Sequence, residues 1–223
     1  MSVSADTLRN ELATRRAQYE SAGLDVDAVA ADPLTQWQRW YADASAAGVT
    51  EPNAMTVATV GLDGQPDARV VLARGIDERS VVFYTNLASA KSRQLDAHPS
   101  AAAVFAWLDL HRQVRLRGPV ERVPDEESDR YFASRPRGSQ IGAWASPQSE
   151  VLTDRAELDK LTETFDARFA GRDVPRPEYW GGWRLLVETA EFWQGRPSRL
   201  HDRIRYRRPT DRPDGWVIER LAP

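Results

Sequence analysis

Apolar residues recur at helical spacing near the start of the chain, alternate through its middle, and alternate again towards its end. From residue 33, Leu34, Trp37, Trp40, Tyr41 and Ala44 follow a helical period, with Asp32 placed to cap the helix and Pro33 at its first position. This predicts an amphipathic helix whose Trp residues face a core rather than a ligand. At Met55 the period drops to two. Residues 55–60, the turn signal Asp63-Gly64 and residues 68–74 read as a hairpin or meander, and residues 81–86 and 101–107 as further strands around a short helix at 88–97. In 112–118, Val114 and Leu116 alternate with Gln113, Arg115 and Arg117, a half-buried strand that continues into 120–123. Helical composition returns at 125–135, 139–145 and 153–171, and strands close the chain at roughly 183–190, 200–208 and 215–219.

No internal repeat, low-complexity tract or linker interrupts this order. The expectation is a single α+β domain over residues 1–223, barrel-like and strand-dominated, with helices between and around the strands. Residues 5–20 have helical composition but a weak apolar stripe, and composition alone reads them as a solvated terminal arm.

Composition narrows the classes of function. With 223 residues, 41% apolar content and eight Trp, the chain can bury a sizeable core. A net charge of −3 argues against general nucleic-acid binding, so basic residues matter only where they cluster. The absence of Cys excludes thiol catalysis and disulfides and fits a reducing cytoplasm. The first residues carry no apolar signal core and no run reaches membrane-spanning length, so a cytoplasmic protein without membrane association is expected. With three His and no closely spaced His/carboxylate set, no catalytic metal is expected.

Three clusters carry candidate chemistry. Residues 191–203 read EFWQGRPSRLHDR. Taken as an extended strand from Arg199, they project Arg199, His201 and Arg203 on one face, which is costly without an anionic partner. An anion-binding strand and a solvated basic edge strand are both compatible with that pattern. In the sheet, Arg69, Arg74, Tyr84, Thr85 and Lys91 supply hydroxyls, a helix start and cations suited to a phosphate, or ordinary strand-end polarity. The segment from Tyr131 through Arg135, Arg137 and Ser139 packs Arg, Ser and Gly around a turn and suits a phosphate monoester better than a solvated loop, because apolar IGAWA follows. No G-x-S-x-G, Walker A or G-x-G-x-x-G motif occurs. The residues alone imply a β-rich protein that binds one or two phosphorylated small molecules, with the reaction undetermined.

These same residues resemble the FMN-dependent pyridoxine/pyridoxamine 5′-phosphate oxidases. The resemblance runs from ADPLTQWQRW through EPNAM, VVFYTNLASAK, SRPRGSQIGAWASPQS and EFWQG…RLHDR to the terminal ERLAP, most of the chain. It implies a mainly antiparallel, FMN-binding split β-barrel with surrounding helices, a homodimer with FMN at the subunit interface, and O2-dependent oxidation of the two B6 phosphates to the aldehyde with release of H2O2.

By that resemblance Arg69, Val70, Val71 and Leu72 line FMN, and Tyr84, Thr85 and Lys91 lie near its phosphate. Gln113, Gln148, Ser149, Trp193 and Arg203 are the remaining cofactor contacts. Tyr131, Arg135 and Ser139 match the clamp on the substrate phosphate, Arg199 and His201 the pair over its pyridine ring, and Arg16 and Tyr19 an arm that closes on the site. Two positions depart from the family pattern. Arg74 stands where Lys is usual, a planar fork in place of a compact ammonium. Ala90 stands where Arg is frequent, and a lost charge-assisted hydrogen bond costs about 1.5–3 kcal/mol if uncompensated, so weaker FMN binding is expected. Rival readings are a related flavin oxidase of another aromatic substrate, such as those of phenazine biosynthesis, a deazaflavin reductase, and a non-catalytic FMN or pyridoxal phosphate binder.

Overall fold

The computed structural model describes residues 5–14, 19, 23–209 and 215–223. Helix α1 (Ala5–Thr14) precedes α2 (Pro33–Ala46), which starts as its sequence requires: the Asp32 carboxylate accepts from the amides of Leu34 and Thr35, and Pro33 fills the first position. Its apolar face buries Leu34, Trp37 and Trp40, with Trp37 edge-on to Phe105 at 5.1 Å and Trp40 edge-on to Phe192 at 5.2 Å. The Trp residues of this helix are core, as the helical spacing predicts.

Ten strands follow among the described residues: β1 (Ala54–Val60), β2 (Pro66–Leu72), β3 (Gly75–Ile76), β4 (Ser80–Asn86), β5 (Ser100–Trp107), β6 (Arg112–Arg122), β7 (Trp180–Leu186), β8 (Thr189–Gln194), β9 (Asp202–Arg207) and β10 (Val217–Leu221). Helix α3 (Ala90–Ala97) lies between β4 and β5, and α4 (Asp125–Ala133), α5 (Arg137–Ala145) and α6 (Arg155–Arg168) between β6 and β7. Every recorded strand pair is antiparallel. The main path is β10-β9-β8-β6-β5-β1-β2, with β7, β4 and β3 branching from it.

The branch lies in β6. Its first half, Arg112–Arg117, pairs with β8, and its end, Val120–Arg122, pairs with β7. Residues 183–190, expected as one strand, are two: the chain kinks at Val187 and Glu188, whose amides bond to Arg79 and Arg117 instead of continuing one ladder. The kink drives the Leu186 carbonyl against Gly118, where a Cβ would lie 1.8 Å from that oxygen. Only glycine fits there. The core of Phe83, Phe105, Leu116, Phe192, Ile204 and Tyr206 fills the curled sheet, and a smaller cluster of Phe132, Ile141, Phe169 and Trp180 sits under α4–α6. No helix among the described residues is long and apolar enough to cross a membrane.

Candidate active site

β2 ends the main sheet path, and among the described residues its one strand partner is β1. It forms one wall of a cavity of about 590 Å3 through Arg69, Val70, Val71 and Leu72. The end of β4 supplies Tyr84 and Thr85, α3 supplies Lys91, and the α4–α5 region supplies Tyr131, Arg135 and Ser139. Arg74 and Gln148 complete the expected lining. The sheet cluster and the SRPRGS segment, whose last three residues open α5 and not a turn, therefore face one space though separate in sequence.

Lys91 is 9% exposed, and its ammonium donates to Gln148 Oε1 (2.7 Å), Thr85 Oγ1 (3.1 Å) and Ser89 Oγ (3.4 Å). All three acceptors are neutral, and no carboxylate pairs with it among the described residues. Burial, and secondly the Arg69 guanidinium, pull its pKa down to about 8. Ser149, at φ 76°, accepts from the Ala90 amide at 3.1 Å, which places it at the start of the same helix. Arg69 is held within the chain: it donates to Thr59 Oγ1 and Gln94 and pairs with Asp67.

At the other wall, Tyr84 and Tyr131 stack at 4.0 Å, and Trp180 continues the stack at 5.6 Å from Tyr84. The Arg135 guanidinium lies 4.6 Å over the Trp180 ring, with its Nη1 buried and without a hydrogen-bond partner. Such an orphaned donor is expensive unless an anion completes it. The Tyr84 hydroxyl donates to Glu127 at 3.4 Å, and burial, reinforced by that carboxylate, pushes its pKa up to about 12. Arg137 belongs elsewhere, bonded to the Phe169 and Arg172 carbonyls. Lys91, Arg135 and Arg74 thus line the cavity with no carboxylate pairing to any of them among the described residues. This donor set fits dianionic phosphates.

The remaining expected residues do not line this cavity. Trp193 of β8 packs against His201 at 4.6 Å, and Tyr19 covers them at 5.8 Å from His201 and 6.1 Å from Trp193. Gln113 and Arg203 are the register partners of Trp193 on either side. Arg16 lies outside the described residues.

The extended strand from Arg199 is corrected. Pro197–Arg199 form a 3-10 turn with Ser198 at φ 57° and Arg199 at φ 62°, and β9 begins only at Asp202. Arg199 is exposed on that turn, while His201 folds back to accept the Arg196 amide at Nδ1, 3.1 Å away. Arg203 is in the strand and has a carboxylate of its own in Glu191. The three side chains therefore do not project from one extended strand, and the charge of Arg203 is met by Glu191. Burial and the Arg199 charge lower the His201 pKa below 6.5. With Nδ1 accepting, the neutral ring carries its proton on Nε2.

Sequence reasoning missed Trp180, Glu191 and Asp202. Trp180 begins a Trp-Gly-Gly-Trp run whose signal is Gly182, where a Cβ would lie 2.7 Å from Val123 and 2.9 Å from Tyr84. The Asp202 carboxylate accepts from the Leu24 amide at 3.0 Å and from Arg220 at 2.6 Å, tying the segment after the N-terminal arm to β9.

A family model described as pyridoxamine 5′-phosphate oxidase matches residues 41–168, and one described as the pyridoxine 5′-phosphate oxidase C-terminal dimerisation region matches residues 180–223. Pyridoxine/pyridoxamine 5′-phosphate oxidases of Burkholderia multivorans and Burkholderia thailandensis are 56% and 52% identical over 212 residues, covering 95% of this chain and 99% of each relative. Among solved structures, PhzG from Burkholderia lata, in complex with tetrahydrophenazine-1-carboxylic acid, superposes with a TM-score of 0.85 at 31% identity, over 93% of this chain and all of that one. A pyridoxamine 5′-phosphate oxidase-related, FMN-binding protein from Nostoc punctiforme shares the fold at a TM-score of 0.66 and 17% identity, over 84% of this chain and 97% of that one.

Proposed function

The chain belongs to the pyridoxamine 5′-phosphate oxidase family, and from that premise we propose that it binds FMN and oxidises pyridoxamine and pyridoxine 5′-phosphates to pyridoxal 5′-phosphate. Oxygen is the acceptor and H2O2 the second product. One observation carries the reading: a single cavity joins the buried Lys91 ammonium to a separate clamp in which Arg135 has an orphaned donor. Two phosphates, one on the cofactor and one on the substrate, satisfy two such ends.

Bound FMN supplies hydride acceptance and reoxidation by oxygen. Lys91, with Thr85 and Gln148 around it, takes the cofactor phosphate. Tyr131, Arg135 and Ser139 take the substrate phosphate, and Arg74 adds a second guanidinium in place of the usual ammonium. Holding the substrate at a group remote from the reacting carbon fixes its ring in a reactive pose. Arg199 and the Nε2–H of His201 orient that ring and offset developing charge. Gln113, Trp193 and Arg203 take the flavin from a second copy of the chain, which makes the homodimer the working unit. Tyr19, seated on His201, is the part of the N-terminal arm that excludes water.

The likeness to PhzG supports a second reading, oxidation of a reduced phenazine carboxylate on the same scaffold. The higher identity to the B6 oxidases and the SRPRGS clamp favour the first. The purified protein should be yellow and should convert pyridoxamine 5′-phosphate in air to aldehyde with equimolar H2O2. A colourless protein unable to take up FMN sinks both readings; a yellow one that turns over only the phenazine precursor selects the second.

A further inference from the structure

Among the described residues Glu191 is the one buried carboxylate, 5% exposed in the middle of β8. A carboxylate there is costly to bury unless its oxygens are fully engaged. Both are: Oε1 accepts from Arg203 Nε at 2.8 Å, and Oε2 faces Arg115 Nη2 at 3.3 Å. Residues paired across strands, and those two apart along one strand, share a face of the sheet. Register pairs Glu191 with Arg115 and Arg205, and Trp193 with Gln113 and Arg203. Glu191 therefore stands on the same face as three residues expected to contact the flavin.

The nitrogens of Arg203 account for the rest. Nε is given to Glu191 and Nη1 to the Ala222 carbonyl at 2.9 Å, in the last residues of the chain. Nη2 has no partner among the described residues. Two fixed nitrogens in a rigid planar fork determine where the third points. The bond to Glu191 also holds the guanidinium proton more tightly than usual.

We propose that Glu191 is a positioning residue for the flavin site: with the Ala222 carbonyl it fixes the Arg203 guanidinium and leaves Nη2 free for the cofactor. The inference rests on the reading of Arg203 as a flavin contact. Arg115 serves only to complete the charge of Glu191 and takes no part in binding.

The test is a double-mutant cycle on the full chain stripped of FMN, with FMN affinity read by quenching of flavin fluorescence. Glu191→Gln should weaken FMN binding on the order of tenfold, Arg203→Met at least as much, and the double variant no more than Arg203→Met alone. Arg115→Met should bind as the wild type does. Losses that add in the double variant, or an E191Q protein with wild-type affinity, overturn the proposal. Glu191→Asp retains the charge but withdraws the carboxylate, and reads the same coupling should E191Q fail to fold. A wild-type chain that takes up no FMN fails the functional reading as well, so the two failures are told apart by the parent protein.

Discussion

Lys91 is a cation surrounded by neutral oxygens, and its protonation sets the charge the cavity offers. An unfolded lysine titrates near 10.5, whereas burial and Arg69 bring this one to about 8. Below 8 both states carry the proton; between 8 and 10.5 the unfolded chain binds more of it, so the FMN-free protein gains stability with rising pH across that window. A phosphate dianion beside the ammonium reverses the shift, so binding takes up a proton above pH 8. FMN affinity should therefore fall as pH rises past 8, while riboflavin, which has no phosphate, should not follow. Parallel titrations of the two flavins on either side of that pH check this, and equal slopes would detach Lys91 from the phosphate.

His201 shifts downwards for a related reason, burial first and the Arg199 charge second. The neutral ring accepts the Arg196 amide, so the stability it contributes is present above 6.5 and is lost as pH falls through the lowered value. Arg199→Gln should raise the His201 midpoint, measured by NMR titration of its Cε1 proton. An unchanged midpoint would mean that the two side chains do not face each other in solution.

Elements differ in how openly the sequence declares them. Helix α2 has its cap, its proline and its apolar stripe within residues 32–46, and the β1–β2 hairpin has Asp63-Gly64 between alternating runs, with Gly64 at φ 80°. Local patterns of this kind are readable. The turn at 197–199 is not, because Ser198 and Arg199 adopt positive φ without glycine, and only the surrounding fold imposes that. Reading it as a strand placed Arg199 beside Arg203, when the two sit on different elements. Equally hidden is the double pairing of β6, which depends on residues 60 or more positions away. That Tyr131, Arg135 and Ser139 line one space is readable because they lie close together in sequence, whereas Trp180 and Glu191 act through partners remote in sequence. Gly118 provides a test at this scale. Gly118→Ala puts a methyl into the Leu186 carbonyl, and because backbone cannot yield as a side chain does, a loss of about 3 kcal/mol or more is expected in urea unfolding. A variant of parental stability would show that the β7–β8 kink is soft.

At the scale of the molecule, the expected cofactor and substrate residues form two groups that one protomer does not bring into a single cavity: Lys91, Tyr84 and Gln148 on one side, Trp193, His201 and Arg203 on the other. A C-terminal segment that matches a dimerisation region contains Trp193, His201 and Arg203, while Gln113 joins them by register from β6. If each working site takes its phosphate half from one protomer and its ring half from the partner, two inactive variants should rescue one another. Combine Lys91→Met with Arg199→Met chains: a mixed dimer has one site bearing both defects and one bearing neither. Random pairing of equal amounts makes half the dimers mixed, so about a quarter of wild-type sites should be restored. With both halves in one protomer, every site in the mixed dimer keeps a defect and no activity returns. Refolding the two variants together and assaying H2O2 release against each variant refolded alone separates the two arrangements, because the expected signal is a gain of activity that misfolding cannot imitate.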